Sequence, residues 1–187
     1  MCKQCEKKPV YEFTNKRKIC KDCFINYFQK KVFYTIRKFK MINKNETIGY
    51  ENKGDFRDVA LEDILKIFVE RAIVDLIKIP TTKKFDKLAI SSTTNLEADK
   101  IIHILIKNSA KDLVKLGPIE KLRNKIIIKP FYLFLDEEVL LYVKLKKLKF
   151  KKTKIKNDKI SDFVNNLENK HPEIKRAVIS SFLELYC

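Results

Sequence analysis

Two closely spaced cysteine pairs near the start of the chain constrain its fold more than any other feature of the sequence. Cys2 and Cys5 form the first CxxC pair, and Cys20 and Cys23 form a second pair after fourteen intervening residues. Four soft thiolates arranged tetrahedrally suit zinc and leave no open coordination position for catalysis. In a reducing compartment such cysteines serve as metal ligands more often than as disulfide partners. The spacing therefore predicts one structural zinc ion held by all four cysteines, with iron as the main alternative.

The hydrophobic pattern predicts a hairpin and then a long helix in the first part of the chain. Residues 9–14 alternate between apolar and polar side chains, and Asn15-Lys16 can turn the chain, so a hairpin is predicted between the two cysteine pairs. From residue 22 to about residue 41 the apolar positions recur every three or four residues, which is the spacing of a helix. These positions are Phe24, Phe28, Val32, Ile36 and Phe39.

Short apolar segments alternate with amphipathic ones over the rest of the chain. Residues 86–91 and 125–129 are short and apolar, which predicts two strands, the second of them stopped by Pro130. Residues 43–58 are polar and predict a loop, or a short strand and a turn. Helical spacing predicts further helices at residues 59–79, from Thr94 or Asn95 onward, and at residues 136–147, 161–168 and 172–185. This alternation predicts a small α/β domain with parallel strands.

The chain is strongly basic, since 41 Lys+Arg against 24 Asp+Glu give a formal net charge of +17. Such an excess attracts polyanions, of which nucleic acid is the commonest in a cell; the alternative is a lysine-rich surface that is only solvated. Hydrophobic residues make up 45% of the 187 residues, which is enough for a packed core. Residues 1–23 are polar, unlike a signal peptide, and no apolar run reaches the length of a membrane span. We therefore expect a cytoplasmic protein that binds nucleic acid.

Two stretches without acidic residues concentrate the positive charge. One lies on the predicted helix between Cys23 and Asn45, and the other spans residues 144–156. Alternation at residues 147–150 and 154–156 predicts a strand with one basic face. Aromatic side chains on the helix would either stack on an unpaired base or pack into the core: Tyr27, Phe33 and Tyr34. The candidate phosphate-binding residues are Lys30, Lys31, Arg37, Lys38, Lys40, Lys144, Lys146, Lys147, Lys149, Lys151, Lys152 and Lys154.

Several segments resemble one family, in the order in which that family carries them. The first comprises the two cysteine pairs and the helix that continues to residue 42. A second, Ile128-Lys129-Pro130-Phe131 followed by Glu138-Val139 and Tyr142, is similar to an R-I-K-P-L…E-V-x-x-Y-A element. Between them, Asn95-Leu96-Glu97-Ala98 stands where members carry N-L-D-D, and residues 163–182 are similar to the C-terminal helices. These segments, about two thirds of the chain, resemble the tRNA 2-thiolation proteins, N-type ATP pyrophosphatases that make 2-thiouridine in tRNA.

The nucleotide-binding loop of that family has no counterpart in this sequence. Members carry S-G-G-x-D-S after a strand, and its backbone amides hold the pyrophosphate of ATP. Here residues 51–55, Glu-Asn-Lys-Gly-Asp, are the nearest candidate, and they place an acid and an amide where bare backbone is needed. Residues 42–95 also leave too little chain, on this interpretation, for the usual loop, helix and following strands. The only glycines in the chain are Gly49, Gly54 and Gly117.

The residues that would carry the chemistry are missing as well. The acidic pair of the family is reduced to Glu97, because Ala98 occupies the second place, and no cysteine lies between Cys23 and Cys187 to carry sulfur or hold a cluster. This pattern resembles the second, non-catalytic subunit of the cytosolic tRNA thiouridylase. The resemblance implies a reduced PP-loop-ATPase-like (adenine nucleotide alpha hydrolase-like) α/β domain with a small parallel sheet, plus an N-terminal zinc knuckle.

The expected organisation is a zinc-binding knuckle and basic helix over residues 1–42 and a degenerate PP-loop-type domain over residues 43–187. The resemblance implies a tRNA-binding subunit that is not itself an enzyme, does not use ATP, and supports 2-thiolation of the wobble uridine together with a catalytic thiolation (ATP pyrophosphatase) subunit. The alternative is an independent zinc-containing RNA-binding protein without a thiolation role. A divergent enzyme that still binds a nucleotide is disfavoured by the missing glycines.

Overall fold

The structure is a computed structural model, and it describes residues 1–71, 73–107, 110–122, 125–152 and 159–186. Over these residues a two-stranded hairpin precedes a domain in which five strands alternate with helices. The elements are β1 (Pro9–Glu12), β2 (Lys18–Cys20), α1 (Lys21–Lys38), β3 (Glu46–Tyr50), α2 (Phe56–Glu70), β4 (Val74–Lys78), β5 (Lys87–Ala89), α3 (Thr94–Ile106), a 3₁₀ helix (Ala110–Lys115), β6 (Ile119–Leu122), β7 (Lys125–Ile128), α4 (Asp136–Leu145), α5 (Lys159–Lys170) and α6 (Ile174–Tyr186).

The five-stranded sheet has the order β4-β3-β5-β7-β6. The pairs β3–β4, β3–β5 and β5–β7 are parallel, whereas β6 runs antiparallel to β7. Gly49 allows the ring of Phe85 to lie against β3, because an added Cβ would come within 2.9 Å of that ring. Since β3, β5 and β7 are parallel, the segments that follow them lie at one edge of the sheet, where folds of this class bind ligands.

Helix α1 fastens the hairpin to the sheet domain through one hydrophobic core. Phe24, Phe28, Val32 and Ile36 are all buried, as their helical spacing predicts. The ring of Phe28 stacks on Tyr142 of α4 with 4.2 Å between centroids. The same buried cluster contains cysteines of the hairpin and apolar residues of β3. The predicted hairpin and the predicted long helix are therefore confirmed.

The segment between residues 42 and 95 differs most from the prediction. A continuous helix over residues 59–79 is wrong, because α2 ends at Glu70 and residues 74–78 form strand β4. Short apolar runs of this kind fit a helix or a strand equally well, and here parallel pairing of all five residues with β3 decides in favour of the strand. The expectation of too little chain was also wrong, since this segment holds β3, a loop, α2, β4 and β5.

The basic segment after α4 is not the predicted strand. Residues 148–152 are irregular, and Lys147 has a positive φ of 56° where the chain turns out of α4. In this segment the amide of Lys151 donates to the carbonyl of Gly54, in the loop between β3 and α2, at 2.7 Å and not to a strand of the sheet. The second predicted part of this strand, residues 154–156, lies outside the described residues.

The remaining predicted elements are confirmed with small shifts. Strands β5 and β7 and helices α3 to α6 all lie where apolar spacing places them. Helix α3 has Thr93 at its N-cap instead of Thr94 or Asn95. Thr94 donates its hydroxyl to the carbonyl of Tyr132 at 2.9 Å, so its side chain is used in the tertiary fold. Among the described helices none combines the length and the apolarity that a bilayer span requires.

Candidate functional site

The four N-terminal cysteines converge as the sequence predicts. The β1–β2 hairpin brings Cys20 to the start of α1, opposite the turn that carries Cys2 and Cys5, and Cys23 follows in the first turn of the helix. The Sγ atom of Cys5 lies 3.7 Å from Cys2, 3.3 Å from Cys20 and 3.6 Å from Cys23. All four sulfurs lie within 4.8 Å of one another. A tetrahedral zinc ion with bonds of about 2.3 Å separates its sulfurs by about 3.8 Å, so the cluster fits one such ion.

The local electrostatics favour a bound cation. Burial acts to raise the pKa of the Cys2 thiol, but backbone hydrogen bonds, the strongest from Gln4, outweigh it and lower that pKa to about 6. At Cys23, burial and the neighbouring sulfurs raise the thiol pKa to about 12. The neighbouring sulfurs thus disfavour ionisation of Cys23, and a divalent ion that binds all four as thiolates would remove that repulsion. The four cysteines thus fit a soft, tetrahedrally coordinated metal, and both zinc and iron accept such a set of ligands.

The loop between β3 and α2 (residues 51–55) occupies the position of a phosphate-binding loop. Three backbone amides of this loop and of the start of α2 donate to the chain's own side chains. The Gly54 amide donates to the side chain of Asn52 at 2.8 Å, and the Lys53 amide donates to Asp58 at 3.0 Å. Asp55 caps α2 by accepting from the amide of Arg57 at 2.9 Å. Three donors that could otherwise face a phosphate are therefore already used within the chain.

An ion-pair network closes the same edge of the sheet. The side chain of Arg57 is buried, and its Nε donates to Oδ1 of Asp136 at 2.7 Å while Nη1 lies 3.3 Å from Asp55. Thr93, after β5, donates to Asp136 at 2.7 Å, and Ser91 donates to Asp58 at 2.6 Å. The buried cation of this network, Arg57, is therefore paired with carboxylates and is not free to bind a phosphate. The arrangement opposes binding of a pyrophosphate.

Glu97, which the sequence resemblance places at one position of an acidic pair, lies in a buried ion pair. Its Oε2 is 2.6 Å from Nζ of Lys129, and both side chains are fully buried. Its Oε1 accepts from Ser92 at 2.5 Å and from Lys100 at 2.7 Å. Burial acts to raise the pKa of Glu97, but Lys129 and Lys100 hold that pKa below its ordinary value. Glu97 and Lys129 thus tie α3 to the end of β7, and the sequence pattern did not predict this contact.

Most of the candidate phosphate-binding residues lie on the surface. Two of them are used inside the fold: Nζ of Lys31 is 3.2 Å from the buried Glu138, and Nζ of Lys146 is 3.0 Å from Asp63. Lys154 lies outside the described residues. Helices α1 and α2 both pack on α4, and α1 meets it through the side that carries Phe28 and Lys31. The exposed candidates are Lys30, Arg37, Lys38, Lys40, Lys144, Lys147, Lys149, Lys151 and Lys152.

Of the three candidate stacking residues, one is exposed. Tyr34 keeps 51% of its surface accessible. Tyr27 is partly buried against Phe13, with the ring centroids 4.9 Å apart, and so belongs to the core. Phe33 is partly buried against Phe68, with 5.4 Å between centroids and the rings nearly perpendicular.

Fold and site together define an α/β protein with a small, mostly parallel sheet and an N-terminal four-cysteine centre. The structure is similar to that of the U34-tRNA thiolase NcsA from Methanococcus maripaludis, solved with its [4Fe-4S] cluster, at a TM-score of 0.76 and 19% sequence identity. The likeness covers 99% of this chain and 86% of the thiolase chain. No protein-family profile and no curated protein sequence matches the chain. At this identity the likeness shows the fold, and it confirms the fold class that the sequence resemblance implied.

Proposed function

We propose that this chain is a non-catalytic, tRNA-binding subunit that supports 2-thiolation of the wobble uridine together with a catalytic thiolation enzyme in the cytoplasm. The observation that carries the proposal is the closed β3–α2 loop in a thiolase-like fold. Its amides bind Asn52, Asp55 and Asp58, and Arg57 is held by Asp136. A loop whose amides are bonded within the chain offers fewer donors to a pyrophosphate, and this supports a role without ATP-dependent activation. Its fold then serves binding and assembly.

Positive charge supports the RNA-binding part of the proposal. Both α1 and the segment after α4 carry exposed cations, on a chain with a formal net charge of +17. Lys30, Lys38 and Lys149 are among those that form no ion pair within the described residues. Point charges of this kind bind phosphates without base readout, so their contribution is equal for all tRNA sequences.

We propose that the four cysteines hold a single structural zinc ion. In a [4Fe-4S] cluster each cysteine binds a different iron atom, so the sulfurs lie further apart than four ligands of one ion. The Sγ–Sγ distances of 3.3 to 3.7 Å around Cys5 match the single ion. Such an ion would hold the hairpin on the first turn of α1 and so fix the basic helix in place.

The competing function is that of an independent zinc-containing RNA-binding protein. The same exposed cations favour it, and it needs neither a paralogue nor a thiolation pathway. The two functions differ in the partner, which only the first one requires. An inactive relative commonly pairs with an active one through matching surfaces, because an ancestral two-fold interface already existed.

Binding of tRNA is tested first, by measuring affinity against salt concentration. If about five phosphates are neutralised, the log–log slope is expected to be about −3.5 to −4.5. The double variant Lys30→Glu/Lys38→Glu should weaken binding of all tRNAs alike. Lys83→Glu/Lys84→Glu, an equal charge change on an exposed loop between β4 and β5, is the matched control and should have a smaller effect. A flat salt response contradicts RNA binding by these residues.

The partner is tested in the native host by affinity purification and by analysis of modified nucleosides. We expect a full-length thiolation enzyme with an intact nucleotide loop to co-purify, and a deletion strain to lose most wobble 2-thiouridine. Normal thiolation in the deletion strain, with tRNA binding intact in vitro, would replace the subunit role by the independent RNA-binding role.

A further inference from the structure

A cleft of about 520 Å³ lies between the C-terminal ends of α1 and α2. This volume is in the range of small-molecule sites. Ile42 and Asn43, which line it, precede β3, and Ile73, which also lines it, precedes β4. The cleft therefore lies at the amino end of these strands. The closed β3–α2 loop lies at their carboxyl end, so the two are separate sites.

The interior of the cleft is apolar and aromatic. Phe33 of α1 and Phe68 of α2 meet edge to face in its wall, and isoleucine side chains complete the apolar surface. The guanidinium of Arg71 lies 5.2 Å from the ring centroid of Phe33. Both phenylalanine rings are partly exposed, so a flat ligand can contact them without displacing a core residue.

The rim of the cleft is cationic. Arg37, Lys40 and Arg71 line it, all three are exposed, and no acidic residue is among the lining residues. Within the described part of the chain none of the three cations is paired with a carboxylate. Glu46, which contacts the lining residue Asn43, is itself 2.8 Å from Nζ of Lys87. The rim thus offers uncompensated positive charge around an apolar interior.

A ligand that matches this site has a flat, weakly polar ring and negative charge beside it, as a nucleotide has. We propose that the cleft binds one unstacked nucleotide of an RNA strand, with the base against Phe33 and Phe68 and the adjoining phosphates on Arg37, Lys40 and Arg71. An RNA strand is favoured over a free nucleotide because the rim continues into the exposed cations of α1, which extend the phosphate track beyond one residue. This inference rests on the proposed RNA-binding function and assigns a residue-level site to it.

The test uses the full, metal-loaded chain and a single-stranded decaribonucleotide carrying one 2-aminopurine. Stacking contributes about 1 to 3 kcal/mol per base, a factor of about 5 to 160. Phe33→Leu, which keeps the apolar packing, should therefore weaken binding at least about fivefold and reduce the fluorescence quenching. Phe163→Leu, at a 56% exposed ring on α5, is the matched control and should change neither.

A second pair of variants addresses the phosphates and does not depend on core packing. Arg37→Gln/Arg71→Gln should make the salt slope shallower by about 1.4, the value for two phosphates of a single strand. Lys83→Gln/Lys84→Gln removes the same charge from the β4–β5 loop and should leave the slope less affected. Adenosine monophosphate is titrated in parallel.

The outcomes separate this inference from the proposed function. If tRNA binds but the cleft variants match their controls, the cleft assignment is wrong and the RNA-binding function stands. If the decamer binds through the cleft but tRNA does not bind, the cleft assignment holds and the tRNA function is wrong. Binding of the monophosphate as tightly as the decamer would reassign the cleft to a free nucleotide, and binding of neither refutes both proposals.

Discussion

Replacing Lys129 by methionine tests how strongly the buried ion pair holds the fold. The substitution leaves Glu97 fully buried without its closest cation and removes the partner of Glu120 at the same time. Removing one member of a buried ion pair costs about 3 to 5 kcal/mol, because the remaining charge stays in the interior. With a urea m-value of about 2.5 kcal/mol/M for a domain of this size, the midpoint should fall by about 1.2 to 2 M.

The control is Lys100→Met, which removes a second lysine from the same carboxylate. Lys100 lies 2.7 Å from Glu97 but its side chain is 47% exposed. A solvent-exposed pair contributes about 1 kcal/mol or less, so the midpoint should move by no more than about 0.4 M. Urea unfolding followed by circular dichroism measures both variants.

Adding Glu97→Gln to the Lys129→Met variant should recover part of the loss, because it removes a buried charge whose remaining cation, Lys100, is half exposed. Equal midpoints for Lys129→Met and Lys100→Met would refute the reasoning, since burial would then have no bearing on the strength of the pair. A double variant less stable than Lys129→Met alone would also contradict it.

Three further predictions follow from the metal centre, the closed loop and the buried carboxylate. Elemental analysis should find one zinc per chain, and iron in its place would contradict the proposed metal. The Cys20→Ser variant should not retain zinc, and residues 1–23 should unfold before the remainder of the chain. Calorimetry with ATP should show no binding at raised salt, where weak attraction to lysines is screened. Micromolar affinity under those conditions would contradict this and would make the β3–α2 loop a candidate nucleotide site. The pKa of Glu97 is lowered in the folded state, so its ionic stabilisation is full above its unfolded pKa of about 4.3. That stabilisation is lost as the pH falls through the folded pKa. The wild type should therefore lose more stability than Lys129→Met between about pH 5 and pH 3.

Local features of the sequence predicted the metal centre and the helix that follows it. The four cysteines need only a hairpin to meet, and the hairpin is encoded by alternation within residues 9–14. Helix α1 was predictable because Phe24, Phe28 and Val32 repeat at helical spacing and all face the core. Both signals are short in range and are not changed by the remainder of the fold.

Tertiary contacts decided the elements that the sequence did not predict. Residues 74–78 are apolar enough for either a helix or a strand, and pairing with β3 made them a strand. The lysine alternation at residues 147–150 is typical of a strand. In the structure the segment pairs with none of the described strands, and the amide of the following Lys151 bonds to the carbonyl of Gly54 in the β3–α2 loop. Likewise Arg57 and Asp136 are 79 residues apart, so no local pattern indicates that they close the loop.

The segments that resemble the thiolation family contact one another, and this explains why they are recognisable while the loop is not. Lys31 of the first segment is 3.2 Å from Glu138 of the second, and Phe28 stacks on Tyr142. A buried carboxylate and a buried ring pair tolerate few substitutions whatever the protein does, because a lost partner leaves a charge or a cavity in the core. The loop of residues 51–55 places no side chain in the buried core, and its contacts are hydrogen bonds within the loop, to α2 and to Lys151. The segments that carry the resemblance are therefore the ones that pack the metal centre and α1 onto the sheet domain. The proposed function depends on the surface residues that these packed segments position.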